Sequence, residues 1–113
     1  MNRRELTANI SALIQQMIAE GEQPILDYVL RSTEEQQRLF KAGLSSCDGI
    51  TKKSRHQSVR AADIYLWNPV TKKVDWQWDP AKAEYWHTVW VEKYGGDPMV
   101  VLKNGKVDYP HFQ

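Results

Sequence analysis

Apolar positions recur every three to four residues near the start of the chain. Leu6, Ile10, Leu13, Ile14, Met17 and Ile18 share one side of a helical wheel, so roughly residues 3 to 20 are predicted to form an amphipathic helix stopped by Gly21. Gln23 to Leu30 reads as a strand carrying Ile25, Tyr28 and Val29. Ser32 with Glu35 three residues on is a capping-box signature. It opens a short helix whose inner face is Gln36, Leu39 and Phe40 and whose end is Gly43, and residues 43 to 55 follow as a loop. Arg60 to Trp67 is the clearest strand, with Ala62, Ile64 and Leu66 on one face and Ala61, Asp63 and Tyr65 on the other. Asn68-Pro69 closes it. Val70 to Trp78 is expected to fold as a hairpin around Thr71-Lys72-Lys73, and Asp79-Pro80 to cap a helix reaching about Tyr94, ended by Gly95-Gly96. Met99 to Leu102, an Asn104-Gly105 turn and Lys106 to Phe112 look like a terminal hairpin. The pattern predicts an α+β fold: one domain spanning 1–113, a small antiparallel sheet with helices packed on it.

Composition narrows the function classes. The chain has 113 residues, with 15 basic and 14 acidic side chains, so the positive footprint of a dedicated nucleic-acid binder is missing. Cys47 is the single cysteine and cannot form an internal disulfide, which fits a reducing compartment. The first helix is broken by Asn9, Ser11, Gln15 and Gln16, so neither a signal peptide nor a membrane span is expected, and the chain is expected to be cytoplasmic as synthesised. Trp76, Trp78, Trp86 and Trp90 fall at spacings expected of core residues. His87 is expected to be solvated on the helix face opposite Trp86 and Trp90, and Cys47, with no histidine close in sequence, to be no nucleophile.

The candidate chemistry lies in two short clusters: Ser54-Arg55-His56 with Asp63 seven residues later, and Asp108-Tyr109-Pro110-His111. Two imidazoles, one carboxylate and a spare acid are the parts of a catalytic zinc site. Three protein ligands leave a fourth position for water, and the unused acid can take that water's proton. An acid inside a strand is disfavoured and, on a buried face, must be paired or metal-bound. The alternative is that Asp63 pairs with Arg60 or Lys52, that His56 is a solvated loop residue, and that His111 belongs to a frayed end. In a regular strand Asp108 and His111 would point to opposite faces, so a shared site requires the chain to bend, and Pro110 favours that bend. With Ser32 as N-cap, Arg31 and Gln36 occupy N′ and N4, which meet across the first helical turn and can serve one site. A guanidinium there could bind a carboxylate or neutralise an oxyanion.

Ser54-x-His56-x6-Asp63, followed by Asp108-x-Pro110-His111-Phe112, resembles the zinc D-alanyl-D-alanine carboxypeptidase family, which includes the phage-endolysin L-alanyl-D-glutamate peptidases. Arg31-Ser32-x-x-x-Gln36 with Leu39-Phe40 and Gly43 is similar to the family's upstream segment. The resemblance implies a hedgehog/DD-peptidase-like fold and one zinc ion on His56, Asp63 and His111. It further implies Asp108 as general base, Arg31 facing the substrate carbonyl or carboxylate, and Gln36 and Ser54 as further substrate contacts. The implied partner is the peptide of peptidoglycan, hydrolysed by a monomer of phage or prophage type that reaches the cell wall after release. A module of the same fold without turnover is the alternative. The sequence departs from the family pattern in having Val59 where a glycine is usual, Gln113 where an acid often follows His-Phe, and a short loop before Ser54.

Overall fold

A computed structural model of the chain describes every residue except Tyr28, Leu30, Arg31, Ser46, Thr51 and residues 53–59. Helix α1 spans Arg3–Ala19 and buries Leu6, Ile10, Leu13 and Met17, the inward members of the predicted stripe. Asn2 starts it by accepting a hydrogen bond from the Glu5 amide. Its end is a Schellman motif. The Gly21 amide donates to the Ile18 carbonyl and the Glu22 amide to that of Met17, with Gly21 at φ 95°. Helix α2, Thr33–Lys41, starts at Ser32, whose hydroxyl accepts from the Glu35 amide, and ends in the same way at Gly43. Helix α3, Pro80–Tyr94, has Asp79 as N-cap, Pro80 in its first turn and Gly95 in the left-handed region.

The described strands form one four-stranded antiparallel sheet organised by β2, Ala62–Asn68. Strand β1, Pro24–Leu26, runs along one edge of β2, pairing Pro24 with Leu66 and Leu26 with Ile64. Two short strands divide the rest of its hydrogen bonds: β3, Lys73–Asp75, takes Leu66 to Asn68, and β4, His111–Phe112, takes Ala62 and Asp63. The Ile64 amide donates to the Pro110 carbonyl, while the Ile64 carbonyl accepts the Trp78 indole N–H at 3.0 Å. Trp78 thus satisfies a buried carbonyl that no strand reaches.

The core gathers Leu6, Ile10, Leu13 and Met17 of α1, the inward residues Ala62, Ile64 and Leu66 of β2, Trp86 and Trp90 of α3, and Phe112 of β4. Three expectations are corrected. The strand predicted over Gln23 to Leu30 is confined, among the described residues, to Pro24–Leu26. The terminal hairpin survives only as a bridge between Val101 and Val107, because the chain turns at Tyr109-Pro110 and gives its last apolar residue to β2 and the core. Burying Phe112 there stabilises the fold by about 1.5–3 kcal/mol, which a surface hairpin would forgo. Trp76 is the third correction: it is 65% exposed, whereas Trp78, Trp86 and Trp90 are core.

Gly96 does more than follow a helix end. A methyl group on its Cα would lie 1.9 Å from the Trp90 indole nitrogen. Gly96→Ala is therefore expected to push the indole off the Gln113 backbone oxygen that it holds at 3.0 Å, lowering the unfolding free energy by about 1–3 kcal/mol in a denaturant titration.

Candidate functional site

Asp63 and His111 are brought together by strand register. They are cross-strand partners in the β2–β4 ladder, and His111 Nδ1 lies 3.3 Å from Asp63 Oδ1. Both are buried, at 8% and 9% exposure. The backbone of Asp63 is fixed on its other edge, where its carbonyl accepts the Asp27 amide at 2.8 Å. The second imidazole nitrogen, Nε2, donates to the Gln113 side-chain oxygen at 2.8 Å, leaving Nδ1 as the nitrogen that faces the carboxylate. Burial pushes the His111 pKa down, but the hydrogen bonds that the ring donates to Asp63 and Gln113 and the charges of Asp63 and Asp108 outweigh it and hold the group above its usual value.

The bend required between Asp108 and His111 is present. The His111 amide donates to the Asp108 carbonyl at 3.2 Å across Tyr109-Pro110, a reversal that keeps the half-buried Asp108 near enough for its charge to act on the imidazole. His56, Ser54 and Arg31 lie outside the described residues. Among the described residues no group of three or more His, Cys, Asp or Glu is gathered, so the expected ligand set is represented there by Asp63 and His111. Gln36 is fully buried. Its amide nitrogen donates to the Ser45 hydroxyl at 2.7 Å and the Cys47 carbonyl at 2.6 Å, which ties α2 to the loop ahead of residues 53–59. Its amide donors serve the loop.

Sequence reasoning missed the residues that hold β4 in place, and His87 is the main correction. His87 is 3% exposed rather than solvated. Its Nε2 donates to the Tyr109 carbonyl at 2.7 Å, and its ring stacks on Phe112 at 4.1 Å between centroids with 1° between planes. Trp90 donates its indole N–H to the Gln113 backbone oxygen, which also accepts the Asp97 amide at 2.7 Å. The missed signal was spacing: Ala83, Trp86, His87 and Trp90 recur at i, i+3, i+4 and i+7, one buried face of α3. Gln113 was noted only as a departure, yet its amide oxygen orients the His111 ring.

No protein-family model matches the chain, and no curated protein matches it. No helix of the described residues is long and apolar enough to cross a membrane.

Burial lowers the His87 pKa; the Tyr109 hydrogen bond opposes that shift and the His111 charge adds to it. The unfolded chain, whose imidazole titrates near 6.5, then binds a proton that the folded chain refuses. Stability from this group is complete above that value and is lost as pH falls below it toward the depressed folded pKa. Unfolding free energies of the wild type and His87→Phe should accordingly converge on acidification. A gap between them that stays constant from pH 7 to pH 5, values spanning the unperturbed imidazole pKa, would contradict a buried neutral His87.

Proposed function

We propose that the chain is a zinc-dependent peptidase of hedgehog/DD-peptidase-like fold that hydrolyses an amide bond in the peptide of peptidoglycan. The observation that carries the reading is the 3.3 Å between His111 Nδ1 and Asp63 Oδ1. Strand register thus sets an imidazole nitrogen and a carboxylate oxygen, two of the donor types that zinc takes, side by side at a buried position. The donor set fits in chemistry as well. His111 has its far nitrogen engaged by Gln113, the outer-shell arrangement that fixes the ring and tautomer of a metal-binding imidazole.

On this reading Asp63, His111 and His56 would hold the ion, whose chemistry when bound would be Lewis-acid activation of water. Asp108, carried on the turn beside His111, would serve as general base and then as the acid toward the leaving amine. Arg31 neutralises the charge developing on the substrate oxygen. Gln36 acts indirectly by fixing the loop that leads into Ser54 and His56, while α3 holds β4 against β2 so that the imidazole stays on the carboxylate. The choice of a cell-wall peptide as substrate rests on the resemblance of the three motif segments.

Elemental analysis of the protein purified without chelators should give one zinc per chain. His111→Ala and His56→Ala should each lose the metal, whereas Asp108→Ala should keep it and release peptide from cell-wall sacculi about 10²–10⁴-fold more slowly. Zinc lost with Asp108→Ala would reassign that residue as a ligand. A wild-type protein that neither carries nor takes up zinc would leave Asp63 and His111 as an ordinary buried ion pair.

A further inference from the structure

A cleft of about 240 Å³ lies between α3 and the segment that follows it, with Glu84, His87, Val91 and Glu92 on the helix side and Pro98 and Met99 on the other. At that size, below the roughly 300–1,000 Å³ of drug-sized ligand sites, it suits a single ring or a short chain. Val91, Pro98 and Met99 make its walls apolar, while the exposed Glu84 and Glu92 border it with carboxylates that no basic residue of the lining offsets. His87 is the buried member of the lining, at 3% exposure. Its Nε2–H is committed to the Tyr109 carbonyl and its ring lies on Phe112, yet among the described residues its Nδ1 is a buried polar atom with no hydrogen-bond partner. Because Nε2 carries the proton of the neutral ring, Nδ1 keeps a lone pair and can only accept. A buried acceptor left unmet costs free energy that a donor brought into the cleft would recover.

We propose that this cleft is a binding site for a small organic amine, whose apolar body rests on Val91, Pro98 and Met99 and whose ammonium group donates to His87 Nδ1 and is balanced by Glu84 and Glu92. Other occupants fit less well. A metal ion needs several ligands gathered at one point, and no such group exists among the described residues; Glu84 and Glu92 stand about 12 Å apart along the helix axis. A carboxylate or phosphate would meet two acidic side chains and a nitrogen with no proton to offer. A hydrocarbon would fill the cleft and leave Nδ1 unmet. Since Nδ1 is covered, the ammonium reaches it by displacing a neighbour, and of the lining residues the unbranched, half-buried Met99 adapts most easily. The site shares no residue with the proposed zinc centre and does not depend on the peptidase reading, although the His87 ring joins it to the strand that carries His111.

The test is an amide-resolved NMR titration of the full chain at neutral pH with benzylamine, benzyl alcohol and toluene, which share a ring and differ in charge and donor. Benzylamine is expected to give saturable shifts at the α3 amides around His87 and at Met99, with benzyl alcohol binding more weakly and toluene most weakly. His87→Phe should weaken benzylamine about tenfold, the loss of one hydrogen bond to a charged donor, and leave toluene unchanged. Replacing the two exposed acids together, Glu84→Gln with Glu92→Gln, should bring benzylamine down to the level of benzyl alcohol, and this variant carries the test should His87→Phe fail to fold. Absence of saturable shifts, equal affinity for benzylamine and toluene, or benzylamine binding unchanged in the variants would overturn the site. A doubled mass in light scattering that benzylamine reverses would give the cleft to a second copy of the chain instead. A protein that binds benzylamine yet neither carries zinc nor releases peptide would defeat the peptidase reading alone, and zinc-dependent peptide release without amine binding would defeat only this site.

Discussion

The contact on which the structure depends is the two-residue ladder between β4 and the start of β2. Asp63 is held inside a strand at 8% exposure, and a carboxylate there without a partner would cost several kcal/mol even after relaxation. His111, a partner 48 positions further along, arrives from the far end of the chain. Helix α3 delivers it: Phe112 fills the space between Trp78 and Trp90 and under the His87 ring, with centroid distances of 6.1, 6.1 and 4.1 Å. His111 is thereby placed on the opposite pleat, facing the carboxylate. The apolar anchor and the polar group are adjacent in sequence because a strand sends neighbours to opposite faces. One helix therefore sets the geometry of a pair to which it contributes no side chain.

The two buried histidines divide the polar work. His87 is kept below its usual pKa by burial and serves as a donor to the Tyr109 carbonyl, whereas His111 is held above its usual value by Asp63, Gln113 and Asp108. Each charge state suits its neighbours. A protonated His87 would set a second cation near His111, and its neutral Nε2–H already satisfies the carbonyl that precedes Pro110, which has no N–H of its own to give. Gln113 offers a neutral oxygen, so it orients the imidazole without adding charge to the Asp63–Asp108 neighbourhood. Gln36 plays the matching structural part on the other side, under a loop whose Gly49 leaves only 3.2 Å for a methyl group against it.

The helices were legible because their signals are local. Asn2, Ser32 and Asp79 lie where a cap must lie, and Gly21, Gly43 and Gly95 follow the last helical turns. Strand β2 was legible from alternation, and its alternation placed Asp63 on the correct face. The terminal strand was not: an Asn104-Gly105 turn between apolar runs points to a hairpin, and only long-range burial of Phe112 redirects the chain to β2. His87 escaped for a related reason. It was assigned to the helix face opposite Trp86 and Trp90, whereas Ala83, Trp86, His87 and Trp90 share one buried face, where a backbone carbonyl accepts the ring N–H. Asp63 and His111 could be nominated from residue type, but their distance followed only from a register set by Phe112. His56, Ser54 and Arg31 were equally legible as candidates; their placement lies outside the described residues.

On the proposed reading, the Asp63–His111 pair sets a competition between a proton and a cation. The carboxylate favours a proton on the imidazole, and stability gained from that attraction is complete below the unfolded pKa of about 6.5 and lost as pH rises through the raised folded value. A cation needs the same nitrogen deprotonated. The near carboxylate and the second acid at Asp108, which favour that proton, are on the proposed reading the same groups that would draw a divalent ion once the proton has left. On the proposed reading, the affinity for metal rises with pH through the His111 transition, while the bare pair loses its own attraction over the same interval.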